Sequence, residues 1–441
     1  FEKMLYDQAQ LALAYFEAAQ VSGDPFYADV GEDTLQYVQR ELTDQAGGWH
    51  SAEDADSVPP ERAGEAGAHG TEGAFYLWTA GEMDDRLGDD ASIVKARFGV
   101  AADGNAPFDP HQEFTGKNLL YIAASIDDLV ASSGQSAEAV VGTLVRARLT
   151  LFDARLARPR PHLDDKVLTA WNGLMLAAFA RGARLLAALD ADSPDGGASY
   201  LESARRAARF LHDVMWDAPT RTLLRMYRGG DASIAAYAED YASLIFGLLE
   251  LFEADPDPLW LTWALELQQR QDELFWDEDE GGWFSTSGDD PTVLLRLKEE
   301  YDGAEPAASS LGAFNLLRLS HLVGDGRWAD RFERVLRWSA SRLTAAGRGV
   351  PMMAATVSTW LIGSQQVVVV GDSREAFERS LALRYLPGTT VLSCDAAAQA
   401  RLASLLPAVA AMVPVDGRAT AYVCRDFRCE SPVTDVGALA L

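Results

Sequence analysis

Between Lys166 and Leu343 the chain repeats one rhythm, a segment apolar on nearly every side followed by one that confines its apolar residues to a single stripe. A helix apolar all round must be buried all round, whereas a striped helix covers a core with one face. The stretch "VLTAWNGLMLAAFARGARLLAAL" (167–189) is of the buried kind. The next, "SYLESARRAARFLHDVM" (199–215), aligns Leu201, Ala204, Ala208, Leu211 and Met215 and sets Glu202, Arg205, Arg206 and Arg209 outside, so it reads as an outer helix. The alternation returns in 241–252 (inner) with 265–275 (outer), and in 310–322 (inner) with 327–343 (outer). The N-terminal pair 3–19 and 26–42 has the same character. Helical hairpins of this kind close into a double ring, six inner helices inside six outer ones.

Two connectors that follow outer helices, "QAGGWHSAEDADS" (45–57) and "DEDEGGWFSTSGDD" (277–290), each run a Gly-Gly turn into an aromatic strand. That chemistry predicts β-hairpins at a ring face. Residues 44–135 interrupt the rhythm with turn signals and "GAFYLWT", which predicts a strand-rich insertion with short helices within a ring spanning 1–363. Beyond 364 the pattern changes to "QQVVVVG", a helix near 374–384, "TTVLSC" and "ATAYVCRDF", a small α/β unit over 364–441.

Composition narrows the partners. At 441 residues, 48% hydrophobic and 24% charged, the chain is an ordinary globular sequence, long for one compact core. Its net charge is -28 and its only lysines are Lys3, Lys95, Lys117, Lys166 and Lys298, which excludes nucleic acid and anionic membranes as natural partners. There is no apolar run of spanning length, and "FEKMLYDQ" lacks the basic and apolar regions of a signal peptide. Cys394, Cys424 and Cys429 all lie in the last fifth and do not form a disulfide framework for so large a domain, so a reducing, cytoplasmic setting is expected. Cys424 and Cys429, spaced C-x4-C, read as two structural thiols rather than a redox pair.

Polar groups at inner-helix entries converge on one mouth of such a ring, and four clusters stand there. "SAEDADS" carries Glu53, Asp54 and Asp56. "HLDDKVLTAWNGLML" offers Asp164 as a helix cap, and Asp165, Thr169 and Asn172 as a polar stripe looking into the cavity, with Lys166 beside them. "YAEDYASL" holds Glu239, Asp240 and Tyr241, and "EEYDGAEPAASSLGAF" holds Asp302 and Glu305 around a glycine turn. Each cluster also reads as ordinary capping. Together they suit saccharide chemistry, in which one carboxyl kept protonated by burial acts as acid while another stays ionised. Asp56, Asp165, Asp240, Asp302 and Glu305 are the candidate catalytic groups. Lys166, Asn172 and Tyr241 are the candidate orienting groups, and Trp49, Trp171 and Trp283 the candidate sugar platforms. The six histidines show no metal-ligand spacing, no nucleophile elbow or phosphate loop occurs, and no cofactor or metal is expected.

In order along the chain, "FEKMLYDQAQL", "SAEDADS", "EGAFYLWT", "HLDDKVLTAWNGLM", "AEDYASLIFGLLELF", "DGAEPAASS" and "AYVCRDFRCESP" resemble the spermatogenesis-associated protein 20 family over nearly the whole sequence. The resemblance implies a mainly α fold, an (α/α)6 toroid like those of six-hairpin glycosidases and N-acylglucosamine 2-epimerases. It also implies that a thioredoxin-like domain precedes the part seen here, that the toroid lacks its first helix, and that this domain is a partner. The 2-epimerases work with histidines, and here only His50 and His162 adjoin a cluster, so carboxylate chemistry of hydrolase or isomerase type fits the residues better. The rival expectation is a non-catalytic scaffold or sugar-binding module for the thioredoxin-like domain, with a redox role for Cys424 and Cys429 as a third.

Overall fold

The computed structural model describes residues 1–190, 196–289, 291–425 and 428–441. It divides into two compact units, one of Met4–Ser51 with Asp165–Leu441 and one of Phe1–Lys3 with Ala52–Asp164.

The larger unit is built of helical hairpins: α1 (Leu5–Ser22) with α2 (Pro25–Glu41), α3 (Thr169–Leu189) with α4 (Ala198–Phe210), α5 (Ala238–Ala254) with α6 (Pro258–Phe275), and α7 (Ala308–Val323) with α8 (Gly326–Ala346), followed by α9 (Pro351–Ile362). Three hairpin turns use the same chemistry. Asp24, Asp257 and Asp325 each accept a backbone N–H of the first turn of the outer helix, and Pro or Gly opens that helix. Gly23 and Gly324 close α1 and α7 in the left-handed region, at φ 69° and 70°, where a side chain would be strained.

Helices α1, α3, α5, α7 and α9 pack in that order, while α2, α4, α6 and α8 back onto α1, α3, α5 and α7. This is the alternation of buried and striped segments read from the sequence, arranged as an (α/α)6-type toroid. Among the described residues the ring has these five inner helices and four outer ones. The tightest crossing is between α3 and α5: a Cβ at Gly247 would sit 2.3 Å from the Gly173 carbonyl oxygen, and one at Gly173 2.5 Å from the Ser243 carbonyl. Two glycines thus let two inner helices touch backbone to backbone.

A cavity of about 1310 Å³ lies between the ring helices and the C-terminal region 374–401. Part of its wall is apolar (Leu13, Leu174, Phe246, Leu311, Phe314), and part is an ion-pair cluster of Arg181, Arg184 and Arg318 with Glu17, Glu250 and Glu253. Burial raises the Glu250 carboxyl, but the three guanidinium groups outweigh it and hold it far below the usual carboxylate range. The expected acidic cavity is one of mixed charge, because arginines such as Arg181, Arg184, Arg318, Arg374 and Arg401 line it alongside its carboxylates.

Two strands, β1 (Thr222–Arg228) and β2 (Asp231–Ala235), form a hairpin before α5. The C-terminal region folds as a sheet of β3 (Gln365–Val370), β4 (Thr389–Cys394), β5 (Thr420–Arg425) and β6 (Arg428–Cys429) in the order β4-β3-β5-β6. β3 runs parallel to β4 and antiparallel to β5 over a core of Val367, Val369, Phe377, Leu381, Ala421 and Val423. Free thiols at Cys424 and Cys429 are not what the structure shows. The hairpin places the two residues opposite each other, and they are joined as a disulfide; Cys394 is the buried free thiol.

The smaller unit also differs from expectation. It extends to Asp164 rather than stopping near 135, and its regular structure is chiefly helical: Ala80–Leu87, Ala91–Arg97 and Ala137–Leu156 enclose Trp78, Met83, Val94, Ala147 and Leu151, and Ile126–Ser133 adds Leu129 to a second cluster with Ile93 and Val140. Its strands are two-residue pairs, Ala52–Glu53 with Leu163–Asp164 and Asp56–Ser57 with Thr71–Glu72. The turn-rich signals belong to helix starts, since Thr79 with Glu82 and Ser125 with Asp128 form capping boxes.

Candidate active site

The first turn of every helix leaves N–H groups without intrahelical partners. At the entries of α3, α5, α7 and α9, two aspartates answer that need in the same way. Asp240, fully buried, accepts from Tyr237 N at 2.9 Å in its own capping box, from Ala170 N at 3.1 Å at the start of α3, and from Arg225 at 2.8 Å. Asp302, also buried, accepts from Ala307 N and Met352 N, both at 2.9 Å, at the starts of α7 and α9. Each aspartate stitches two neighbouring inner helices together. Asn172 does the same for α3 and the Gly-Gly hairpin: its Oδ1 accepts from Trp49 N, and its Nδ2 donates to Trp49 O and Leu168 O. These hydrogen bonds tie the helix entries to one another and give the three residues a positioning role.

Other groups remain on the mouth. Trp171, in the first turn of α3, donates from Nε1 to Glu305 Oε1 at 2.8 Å, and Tyr6 of α1 meets the indole edge-on at 4.9 Å between ring centroids. Gln10 donates to Ala304 O at 2.8 Å, which fixes the turn that carries Glu305. Across the entry of α5, Glu239 is ion-paired with Arg225 at 2.6 Å, and the same guanidinium lies over the Tyr237 ring at 4.8 Å. The cavity reaches this end at Gln10, Pro306 and Met352.

Burial pushes the Glu305 carboxyl up to about 7. The Trp171 hydrogen bond offsets part of that, and the Glu239 charge adds to it. Burial likewise raises Asp240 to about 6 against the pull of Arg225. The mouth thus combines a carboxyl half protonated at neutral pH, a second carboxyl carried as an ion pair, and aromatic rings beside both.

The remaining sequence candidates are placed as follows. Asp165 does not lie on a helix: α3 begins only at Thr169, because Val167 and Leu168 pair with Tyr227 and Met226 of β1. Asp165 forms a half-exposed ion pair with Arg228 at 2.6 Å, and Thr169 donates to Leu224 O, so the proposed stripe with Asn172 does not exist. Asp164 is no cap either, being a strand residue opposite Ala52. Lys166 is half-buried just before that strand pairing with β1. Asp56 is exposed in the smaller unit, opposite Glu72. Three aromatic candidates are core: Trp49 stacks on Phe179 at 4.7 Å, Trp283 donates to Asp272 at 2.9 Å, and the Tyr241 hydroxyl accepts from Leu223 N. Of the eleven residues, Glu305 and Trp171 are half-buried and hydrogen-bonded to each other at the inner-helix entries, and Asp240 is buried near enough for its charge to act on Glu305. Arg225 and Tyr6 were missed. Arg225 lies on a strand the helix rhythm passes over, and Tyr6 sits within a segment read only as an inner helix.

A ring of helical hairpins with a carboxylate and aromatic mouth at the inner-helix entries places the chain in the mainly α, (α/α)6 toroid class. Its relatives by sequence make it more particular. The chain is 37% identical to human spermatogenesis-associated protein 20 across 99% of its own length, and 30% identical to an uncharacterized protein of Caenorhabditis elegans across 100%. It is thus a relative of the spermatogenesis-associated protein 20 family, as its motifs indicated, and it spans 57% of the human protein and 60% of the nematode one. No family model matches the sequence. Among solved structures, a D-mannose isomerase aligns with TM-score 0.37 and 11% identity over 77% of this chain and 76% of that one. A cellobiose 2-epimerase from Bacillus thermoamylovorans aligns with TM-score 0.37 and 7% identity over 97% and 66%.

Proposed function

We propose that the mouth binds a saccharide and acts on it by carboxylate acid–base chemistry, of hydrolase or isomerase type. The observation that carries this reading is Glu305, a carboxyl held by the Trp171 indole and raised by burial to about 7, with Glu239 near enough to raise it further. A carboxyl in that range donates and accepts protons at neutral pH. Glu305 serves as proton donor, and Glu239, paired with Arg225, as the anionic partner. Trp171 and Tyr6 offer the aromatic surface on which a sugar ring rests, its CH groups against the rings and its hydroxyls toward the carboxylates.

The second reading, a non-catalytic saccharide-binding scaffold for the thioredoxin-like domain implied by the family resemblance, draws on Asp240, Asp302 and Asn172, whose polar atoms are given to stitching helices. One titration series separates the two. Calorimetry with mannose, glucose, N-acetylglucosamine and cellobiose is expected to show binding by the parent chain and at least tenfold weaker binding by Trp171→Ala. Glu305→Gln should bind but form no product from the sugar that binds. If Glu305→Gln and the parent chain both leave that sugar unchanged, the scaffold reading stands. If no sugar binds, both saccharide readings fall.

A further inference from the structure

The inner helices are not equally covered. α3, α5 and α7, in the middle of the row, are buried on nearly every face. α1 and α9, at its two ends, are each buried along one stripe only, Leu5, Ala9, Ala12, Phe16 and Ala19 on α1 and Met353, Thr356 and Thr359 on α9. On its other side α1 carries a second stripe of Leu11, Ala14, Ala18 and Val21, with Leu11 50% and Val21 66% exposed. α9 likewise leaves Pro351, Ala355, Ser358 and Ile362 in solvent, Ile362 at 67%. Spacings of three and four residues keep each set on one face, and such a face on a helix that is already packed on its other side marks a neighbour still to come.

The two faces border one opening. Ala14 and Ala355 are both exposed and both line the 1310 Å³ cavity, so the cavity meets solvent along α1 and α9. The opening is framed at both ends. Toward the mouth, Gln10 of α1 donates to Ala304 O at 2.8 Å, and Asp302 of the same turn accepts from Met352 N of α9 at 2.9 Å. At the far end, Gln20 donates to Ala382 O at 2.7 Å, and Gly388 packs against Thr359. Ten residues of α1 separate Gln10 from Gln20, about 15 Å of helix. The toroid class has six inner helices, and the described residues supply five, with α1 and α9 as the two ends of the row. A gap of that length, with the small residues Ala14, Ala18, Ala355 and Ser358 on its lips, fits one more helix of about three turns. A second copy has none to give, since its inner helices are held in its own ring. The relatives do have further chain, because the match covers 57% of the human protein and 60% of the nematode one.

We propose that the gap between α1 and α9 is the seat of a sixth inner helix, apolar on its faces toward both, and that the segment filling it is one the longer relatives carry outside the matched part. The seat does not depend on what the mouth binds. Overlapping synthetic peptides, each long enough for four helical turns and together covering the part of the human relative outside the match, test it by fluorescence anisotropy against the 441-residue chain. One run of neighbouring peptides is expected to bind and to gain helical circular dichroism on binding. Ala14→Glu and Ala355→Glu set a charge on either lip of the seat and should each weaken that binding at least tenfold, while keeping the parent's urea midpoint because both positions are exposed. The seat is overturned if no peptide binds, or if either substitution leaves the binding unchanged. It is also overturned if sedimentation shows the parent chain self-associated and both variants monomeric, since the exposed stripes then serve a contact between copies.

Discussion

Removing the Asp240 carboxylate tests the assignment of that residue to support. Asp240→Ala leaves the N–H groups of Ala170 and Tyr237 without their carboxylate acceptor, while Arg225 keeps its ion pair with Glu239. A buried donor left unsatisfied costs about 1–3 kcal/mol, so the two amides alone predict a loss of about 2–6 kcal/mol. The loss is pH-dependent with a definite sign. The folded carboxyl titrates near 6 against an ordinary value of 3.8, so the folded state holds the proton more tightly. The stability this lends is fully present below the ordinary value and is lost as pH rises through 6, and between pH 5 and pH 8 the difference is about 1.4 kcal/mol. Urea denaturation of parent and variant at both pH values should therefore show a larger loss at pH 5 than at pH 8. A loss under about 1 kcal/mol at both, or a larger loss at pH 8, would refute the reasoning.

Asp302→Ala should destabilise by about 2–4 kcal/mol in the same assay through the orphaned amides of Ala307 and Met352, and a stability within 0.5 kcal/mol of the parent would return Asp302 to the list of free mouth groups. Gly247→Ala drives a Cβ to within 2.3 Å of the Gly173 oxygen, so a loss of about 1–3 kcal/mol is expected in thermal melts; an unchanged Tm would mean that α3 and α5 are not in backbone contact. Glu305→Gln should raise the Tm relative to the parent more at pH 8 than at pH 5, because the folded state resists ionising Glu305 until about pH 7, and equal shifts at the two pH values would contradict its burial.

The ring was legible because its signal is periodic: a helix buried on all faces and a helix buried on one differ in every turn. The mouth was legible only to the level of position. At the start of α5 the sequence shows Glu239 and Asp240 side by side, but one step along a helix turns the side chain by about 100°, so one faces the mouth and the other the neighbouring amides. Nothing in the residue types says which. Asp165 was misread because "DDKVLT" has the composition of a helix start, whereas the pairing of Val167 and Leu168 with β1, a contact some sixty positions distant, delays the helix to Thr169. The tryptophans after the Gly-Gly turns resemble sugar platforms in sequence, but the same turns fold Trp49 and Trp283 back against Phe179 and Asp272. In the smaller unit, helices of seven or eight residues have too few turns to show a period, so the turn signals there predict a strand-rich insertion with short helices that the sequence does not place.

The account turns on the state of one carboxyl. Selective 13C labelling of glutamate side chains, with the Glu305 signal assigned by its disappearance in Glu305→Gln, allows that group to be titrated directly in the folded chain. The Glu305 midpoint is predicted near 7, rising when Trp171→Phe removes the hydrogen-bond donor and shifting when a bound sugar is added. A midpoint in the ordinary glutamate range near 4.5, indifferent to Trp171 and to sugar, would contradict it.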